Sequence, residues 1–245
     1  MILGFGRMTA GDGWTPTKIP GCTLWLRADQ GITHVGNAVS AWVDQSTSGI
    51  TVAQAVAEAK PTYAAGGGPN GQDCLTFDGG DTLTATGIAA TSLFGASAGT
   101  VAIVASKTNT AGAGIPCMWY QTVNVNNMYL YTTHAANTVK FEFGADGVGS
   151  IETMTVWNHT SWTYLVFQCI DSTHLSLWYN GTASPESGTV TSSVISSANG
   201  TLDVGSFGGA VGFIGSIAEI VWYSSAISTA NRVLLQNYFA TRYAI

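Results

Sequence analysis

Two carboxyl groups on alternate residues of one strand face the same side. Such a pair could serve as acid and nucleophile on a glycosidic bond, a retaining reaction that needs them about 5–5.5 Å apart. This chain of 245 residues has no such run. Glu219 stands alone in an apolar stretch, Glu142 alternates with Phe141 and Phe143, and Asp78 and Asp81 belong to an Asp-Gly-Gly-Asp turn. Nucleophilic chemistry fares no better, because no Gly-x-Ser-x-Gly elbow occurs. His34, His134, His159 and His174 are isolated and show no metal-binding spacing. Gly112-Ala-Gly114 lacks the third glycine of a dinucleotide fingerprint and reads as a loop. No catalytic residue is assigned, and the chain is expected not to be an enzyme.

Binding chemistry has more to work with. Trp119-Tyr120 and Tyr129-x-Tyr131 put aromatic rings close to Asn124, Asn126 and Asn127. On a strand, Tyr129 and Tyr131 share a face. Aromatic faces can stack on sugar rings while side-chain amides hydrogen-bond hydroxyls. Trp119, Tyr120, Tyr129, Tyr131 and Asn126 are therefore the glycan-binding candidates, weighed against the ordinary role of aromatics as core. Asp78 and Asp81 are the metal candidates. Calcium takes six to eight oxygens, and two loop carboxylates with backbone carbonyls could contribute. The same four residues also make ordinary turn chemistry. No other cofactor is expected.

The elements that must position these residues are strands. Apolar residues make up 46 % of the chain and charged residues only 9 %, which excludes disorder and leaves a surface of small neutral groups. Eight Lys and Arg are spread along a chain of net charge −6, so nucleic acid is not an expected partner. No run of 18 or more apolar residues is present to insert into a membrane. The N-terminus lacks the basic start and apolar core of an export signal, so synthesis in a host cytoplasm is expected. Cys22, Cys74, Cys117 and Cys169 form no Cys-x-x-Cys motif. They read as small buried hydrophobes, with disulfides the alternative.

Residues 1–20 are punctuated by Gly and Pro and lack periodicity. They read as an arm, with Trp14, Pro16 and Ile19 as candidates for docking to a partner. Short runs rich in Val, Ile, Thr and aromatics follow over 21–245, broken by Gly, Asn, Asp and Ser. Ser161 to Ile170 turns apolar on both faces from its middle onward and predicts a central strand covered above and below. Asn180-Gly181 predicts a type I′ hairpin turn, and Asn199-Gly200 reads the same way. Trp25, Trp42, Trp162 and Trp222 sit in apolar strands and predict core. A helix is predicted from Thr229 to Arg242, capped by Ser228, with Val233, Leu234, Asn237 and Tyr238 on one face. The pattern gives an all-β antiparallel sandwich with one C-terminal α-helix.

Five segments also resemble a known family. Pro20-Gly-Cys-Thr-Leu-Trp-Leu-Arg-Ala-Asp29, Val39-Ser-Ala-Trp-Val-Asp44-Gln-Ser46, Lys60-Pro-Thr-Tyr63 with Asn70-Gly71, and Leu75-Thr-Phe-Asp78-Gly-Gly-Asp81-Thr-Leu83 occur in that order. Phe213-Ile-Gly-Ser-Ile-Ala-Glu219-Ile-Val-Trp-Tyr223 closes the series before Ser228 and the helix ending Arg242-Tyr243. Together they resemble bacterial and phage laminin-G-like domains of the concanavalin A-like superfamily. The resemblance implies a two-sheet jelly roll that hosts glycan binding, adhesion and, in some branches, glycoside hydrolysis. Residues 85 to 200 fit only by strand pattern. The functional expectation is a phage virion structural protein, a capsid decoration, head-fibre or tail-associated jelly roll. Its partners would be other virion proteins or further copies of itself, and a host-surface polysaccharide. The alternative is a carbohydrate-binding or adhesion module of a bacterial surface protein, with a hydrolase third.

Overall fold

A computed structural model describes residues 13–95, 97–108, 116–122, 127–131, 140–144, 150–152, 161–171, 174–182, 185–189, 199–207 and 211–245. The chain is an antiparallel β-sandwich with a C-terminal helix. The first sheet runs in the order Glu186–Thr189, His174–Tyr179, Thr163–Asp171, Gly99–Lys107, Ile214–Tyr223 and Cys22–Arg27. The second runs Ile32–Val35, Ala38–Val43, Thr51–Ala53, Leu83–Ala89, Asn199–Val204, Pro116–Thr122, Asn127–Tyr131, Lys140–Gly144 and Ser150–Glu152. Cys74–Asp78 pairs with the first half of the Ile214 strand and, through Thr62–Ala64, reaches Ala38 of the second sheet.

Alternation along each strand divides the apolar residues between two cores. Leu24, Leu26, Val101, Ile103, Phe167 and Trp222 point from the first sheet into the sandwich, where they meet Trp42, Val52, Leu83, Leu202 and Val204 of the second. Trp25, Val104, Val166, Val221 and Tyr223 point the other way, onto Leu235, Phe239 and Tyr243 of the helix. The first sheet is thus covered on both sides. This accounts for the absence of alternation in Thr163–Asp171, a central strand as predicted. Trp25, Trp42 and Trp222 are core, and Trp162 is half-buried against the helix-side cluster.

The helix spans Thr229–Tyr243, and the Ser228 side chain accepts from the Asn231 amide, as a cap should. Its buried face differs from the expected one. Arg232, Leu235, Gln236, Phe239 and Tyr243 are buried, while Val233 is 42 % exposed. Leu235, Phe239 and Tyr243 of that face pack into the helix-side core, and Arg232 and Gln236 come inward beside them.

The Asn180-Gly181 turn is present, with φ of 40° and 73°, so both central residues adopt the left-handed conformation the turn demands. Asn199-Gly200 instead opens a strand paired with Leu83–Ala89, because its partners lie across the sheet and not in a hairpin. Cys22 and Cys74 are thiols outside any disulfide, Cys169 Sγ donates to the Asp171 carbonyl at 3.0 Å, and burial pushes the Cys22 pKa up to about 12. Cys117 has no described side chain.

Candidate functional site

The isolated Glu219 turns out to be the centre of a polar cluster beneath the helix. It is fully buried. Its carboxylate accepts from Trp25 Nε1 at 2.6 Å, Tyr243 OH at 2.7 Å and Tyr238 OH at 3.0 and 3.2 Å. Arg242 Nε lies 3.9 Å from Oε2. Burial pushes the Glu219 carboxyl upward, while the Tyr243 hydroxyl, the Trp25 indole and the Arg242 and Arg27 guanidinium groups pull against it. Arg242 Nη2 donates to Asp29 at 2.8 Å, and Arg27 Nε donates to the same carboxylate at 2.6 Å.

The second motif joins the same structure. Asp44 accepts from the Trp25 and Ser46 amides at 2.7 Å each and from Ser46 Oγ at 2.6 Å. Trp42 Nε1 donates to the Arg27 carbonyl at 3.1 Å, and Asn70 Nδ2 donates to the Arg242 carbonyl at 2.9 Å. Residues from all over the sequence thus lock the helix to the sheet. Three indole and hydroxyl donors hold the Glu219 carboxylate, with the Arg242 guanidinium beside it, which makes this a fastening and not an open acid.

Asp78 and Asp81 meet each other through the turn. Asp81 Oδ2 accepts from the Asp78 amide at 2.9 Å, and Asp78 Oδ1 accepts from the Gly80 amide at 2.8 Å. Asp81 is buried, which raises its pKa to about 6. Among the described residues, no group of three or more His, Cys, Asp or Glu is placed to hold a metal ion.

Trp14, Pro16 and Ile19 pack on their own domain. Pro16 is buried, and its carbonyl accepts from Tyr223 OH at 3.1 Å. Ile19 is 2 % exposed within the helix-side core, and Trp14 rests on Tyr238 with ring centroids 5.3 Å apart. From residue 13 onward the expected docking arm is therefore part of the fold, because its apolar side chains complete the core beside the helix. Residues 1–12 lie outside the described residues.

The glycan candidates fall on the second sheet. Asn126 lies outside the described residues. The side chains of Trp119, Tyr120, Tyr129 and Tyr131 do too, but their strands and register are defined. Leu202 and Val204 face the sandwich core, so Asp203 between them belongs to the outer face. Asp203 pairs with Trp119, Trp119 with Tyr129, and Tyr129 with Glu142. Directly opposed residues share a face. One outer row therefore reads Thr84, Asp203, Trp119, Tyr129, Glu142, and the next reads Thr86, Thr201, Gln121, Asn127, Gly144. Tyr131 follows on the same face, opposite Lys140. Tyr120 does not join them, since it pairs with Leu202 on the core-facing register.

The register also bears on hydrolysis. Asp203 and Glu142 share the outer row but stand three strand spacings apart, roughly 14 Å. Asp203 is 4 % exposed and accepts from Thr84 Oγ1 at 2.6 Å. Sequence reasoning found the aromatics but missed Asp203, Gln121 and Thr201. Only strand pairing brings them alongside.

No protein-family model and no curated protein matches the chain. Solved structures do resemble it in fold. Domain 4 of AbnA, a GH43 extracellular arabinanase from Geobacillus stearothermophilus, in complex with arabinotriose, superposes with a TM-score of 0.64 at 16 % identity, over 88 % of this chain and 98 % of that domain. The binding domain of botulinum neurotoxin DC, in complex with SialylT, gives 0.59 at 10 % identity over 91 % of this chain and 52 % of its own. The CBM40 of Ruminococcus gnavus IT-sialidase, bound to α2,3 sialyllactose, gives 0.50 at 16 % identity over 66 % and 95 %. This chain spans about half the length of the toxin chain it matches.

Proposed function

We propose that this chain is a non-catalytic carbohydrate-binding domain of the concanavalin A-like, laminin-G-like kind. Its glycan site is the outer face of the second sheet, along Trp119, Tyr129 and Tyr131. The observation that carries this reading is the register, which gathers the three aromatic positions with Gln121, Asn127 and Thr201 into neighbouring rows. Aromatic positions opposite one another on adjacent strands offer a flat platform, and flanking amides and hydroxyls suit sugar hydroxyls. The sugar-bound state of the similar domains supports the same reading.

A glycan array followed by calorimetry tests the proposal. The expected result is binding to at least one polysaccharide class that Trp119→Ala weakens tenfold or more, about 1.4 kcal/mol. No binding across plant, microbial and sialylated glycans would overturn it. So would glycan cleavage abolished by Glu142→Gln.

A place on a phage particle ranks second. Its motivation is the sequence reading of a jelly roll with a small neutral surface facing a host, and none of the three structures above is a virion component. Co-sedimentation of the chain with assembled particles would reverse that order.

A further inference from the structure

On the helix side of the first sheet, three donor-bearing side chains come together without an acid. Arg232 is 8 % exposed, Trp178 6 % and Gln236 5 %. The Arg232 guanidinium carbon lies 4.2 Å from the Trp178 ring centroid, and Nη1 donates to Gln236 Oε1 at 2.8 Å. That contact fixes the amide orientation, because the opposite one would set NH2 against a cation. It leaves Gln236 Nε2 without a partner, and Trp178 Nε1 is buried without one as well. Among the described residues no carboxylate pairs with Arg232.

A buried donor left unmade costs stability, and a shielded charge without a counter-ion costs more. Burial accordingly lowers the Arg232 pKa. Evenly apolar residues would fill this position with less cost, so the arrangement lacks one component: an acceptor of negative charge. The helix adds to the demand. Arg232 lies in its first turns, where the peptide dipoles favour an anion.

We propose that Arg232, Trp178 and Gln236 form a binding site for a carboxylate, with the guanidinium as counter-charge and the indole and amide N–H groups as donors. Carboxylate suits the set better than a tetrahedral oxyanion. Its two oxygens accept a planar guanidinium fork in one plane, and the remaining lone pairs are free for the other two donors. The residual exposure of Arg232 and Trp178, next to the exposed Thr229 and Val233, gives a small ligand its approach. This site lies across the sandwich from the proposed glycan platform, so the two can fail separately.

The test is a titration of the full chain with sodium acetate, galacturonate and sulfate against chloride at equal ionic strength. The readout is the Trp178 indole N–H signal by NMR, identified through its loss in Trp178→Phe. A saturable shift with acetate or galacturonate, weaker with sulfate and absent with chloride, is expected. Tighter binding of galacturonate than acetate would identify the natural carboxylate as that of a sugar acid. Gln236→Glu places a carboxylate on Arg232 from within. It should raise the melting temperature and weaken acetate binding tenfold or more. Arg232→Met should abolish the shift. A chloride response equal to that of acetate, sulfate binding as strong as acetate, or an unchanged acetate response in Gln236→Glu would each overturn the proposal, and the last serves even if Arg232→Met fails to fold.

Discussion

The two outer faces of this sandwich are built on opposite plans. Beneath the helix, the first sheet buries a carboxylate, two tyrosine hydroxyls, an indole N–H and a guanidinium in mutual contact. On the far side, the second sheet carries a row of aromatic and polar positions on its outer face. The segments that resemble a family supply the first face almost entirely: Trp25, Arg27 and Asp29 from the opening motif, Asp44 from the second, Glu219 from the last strand, Arg242 and Tyr243 from the helix. The second face comes mainly from residues 116–204, where the resemblance is one of pattern only. Recognisable motifs here mark how the fold is fastened, and the proposed binding surface lies where motifs are absent.

The largest expected effect comes from removing the fastening. Glu219→Ala strands the Trp25 indole and two tyrosine hydroxyls and leaves Arg242 without its buried partner. A loss of about 3–5 kcal/mol is expected in urea unfolding. If the loss were below about 1 kcal/mol, the cluster would not be a fastening and the contrast between the faces would fall. Phe239→Ala, which empties the centre of the helix-side core, should cost a similar ~3–5 kcal/mol without altering the glycan platform.

Asp44→Ala comes next. It removes the acceptor for the Trp25 and Ser46 amides, and a loss of about 2–3 kcal/mol is expected by the same measurement. On the other face the signs reverse. Trp119→Ala should change unfolding stability by less than about 1 kcal/mol while reducing glycan affinity tenfold or more. A large stability loss there would make Trp119 core and remove the platform.

The smallest effect is pH-dependent. Asp81 has a folded pKa near 6 against an ordinary 3.8, raised by burial. The folded state therefore binds its proton more tightly than the unfolded one, and stability falls as pH rises from about 4 through 6. Asp81→Asn keeps an oxygen for the Asp78 amide and removes the charge. It should be more stable than the parent at pH 7.5 by about 1 kcal/mol, a gain that vanishes at pH 3.5. An equal difference at both pH values would refute the assignment.

The strands and the helix were legible because burial leaves a local trace. Thr163–Asp171 is apolar on both faces since the sheet is covered twice, and residues 75–78 alternate since only one of their faces is covered. The helix face was not legible, because Arg232 and Gln236 lie on the buried side, where Arg232 stacks on Trp178 of another element and donates to Gln236. Short strands such as Thr51–Ala53 and Thr62–Ala64 escaped notice for a related reason, as three residues are too few to show a period. Glu219 illustrates the same limit in the site. Its indole donor lies 194 residues away in sequence, so only the folded sheet reveals what it does. Asp203 likewise joined Trp119 through register alone.

The measurement that bears most directly on the account is chemical-shift mapping by NMR, with the isotope-labelled chain titrated with the strongest glycan found on the array. The account predicts that backbone amides of 116–122, 127–131, 140–144 and 199–204 move together, while those of 22–29, 42–46 and 219–243 stay in place. Shifts centred on the Glu219 cluster and the helix, with the second sheet silent, would contradict it.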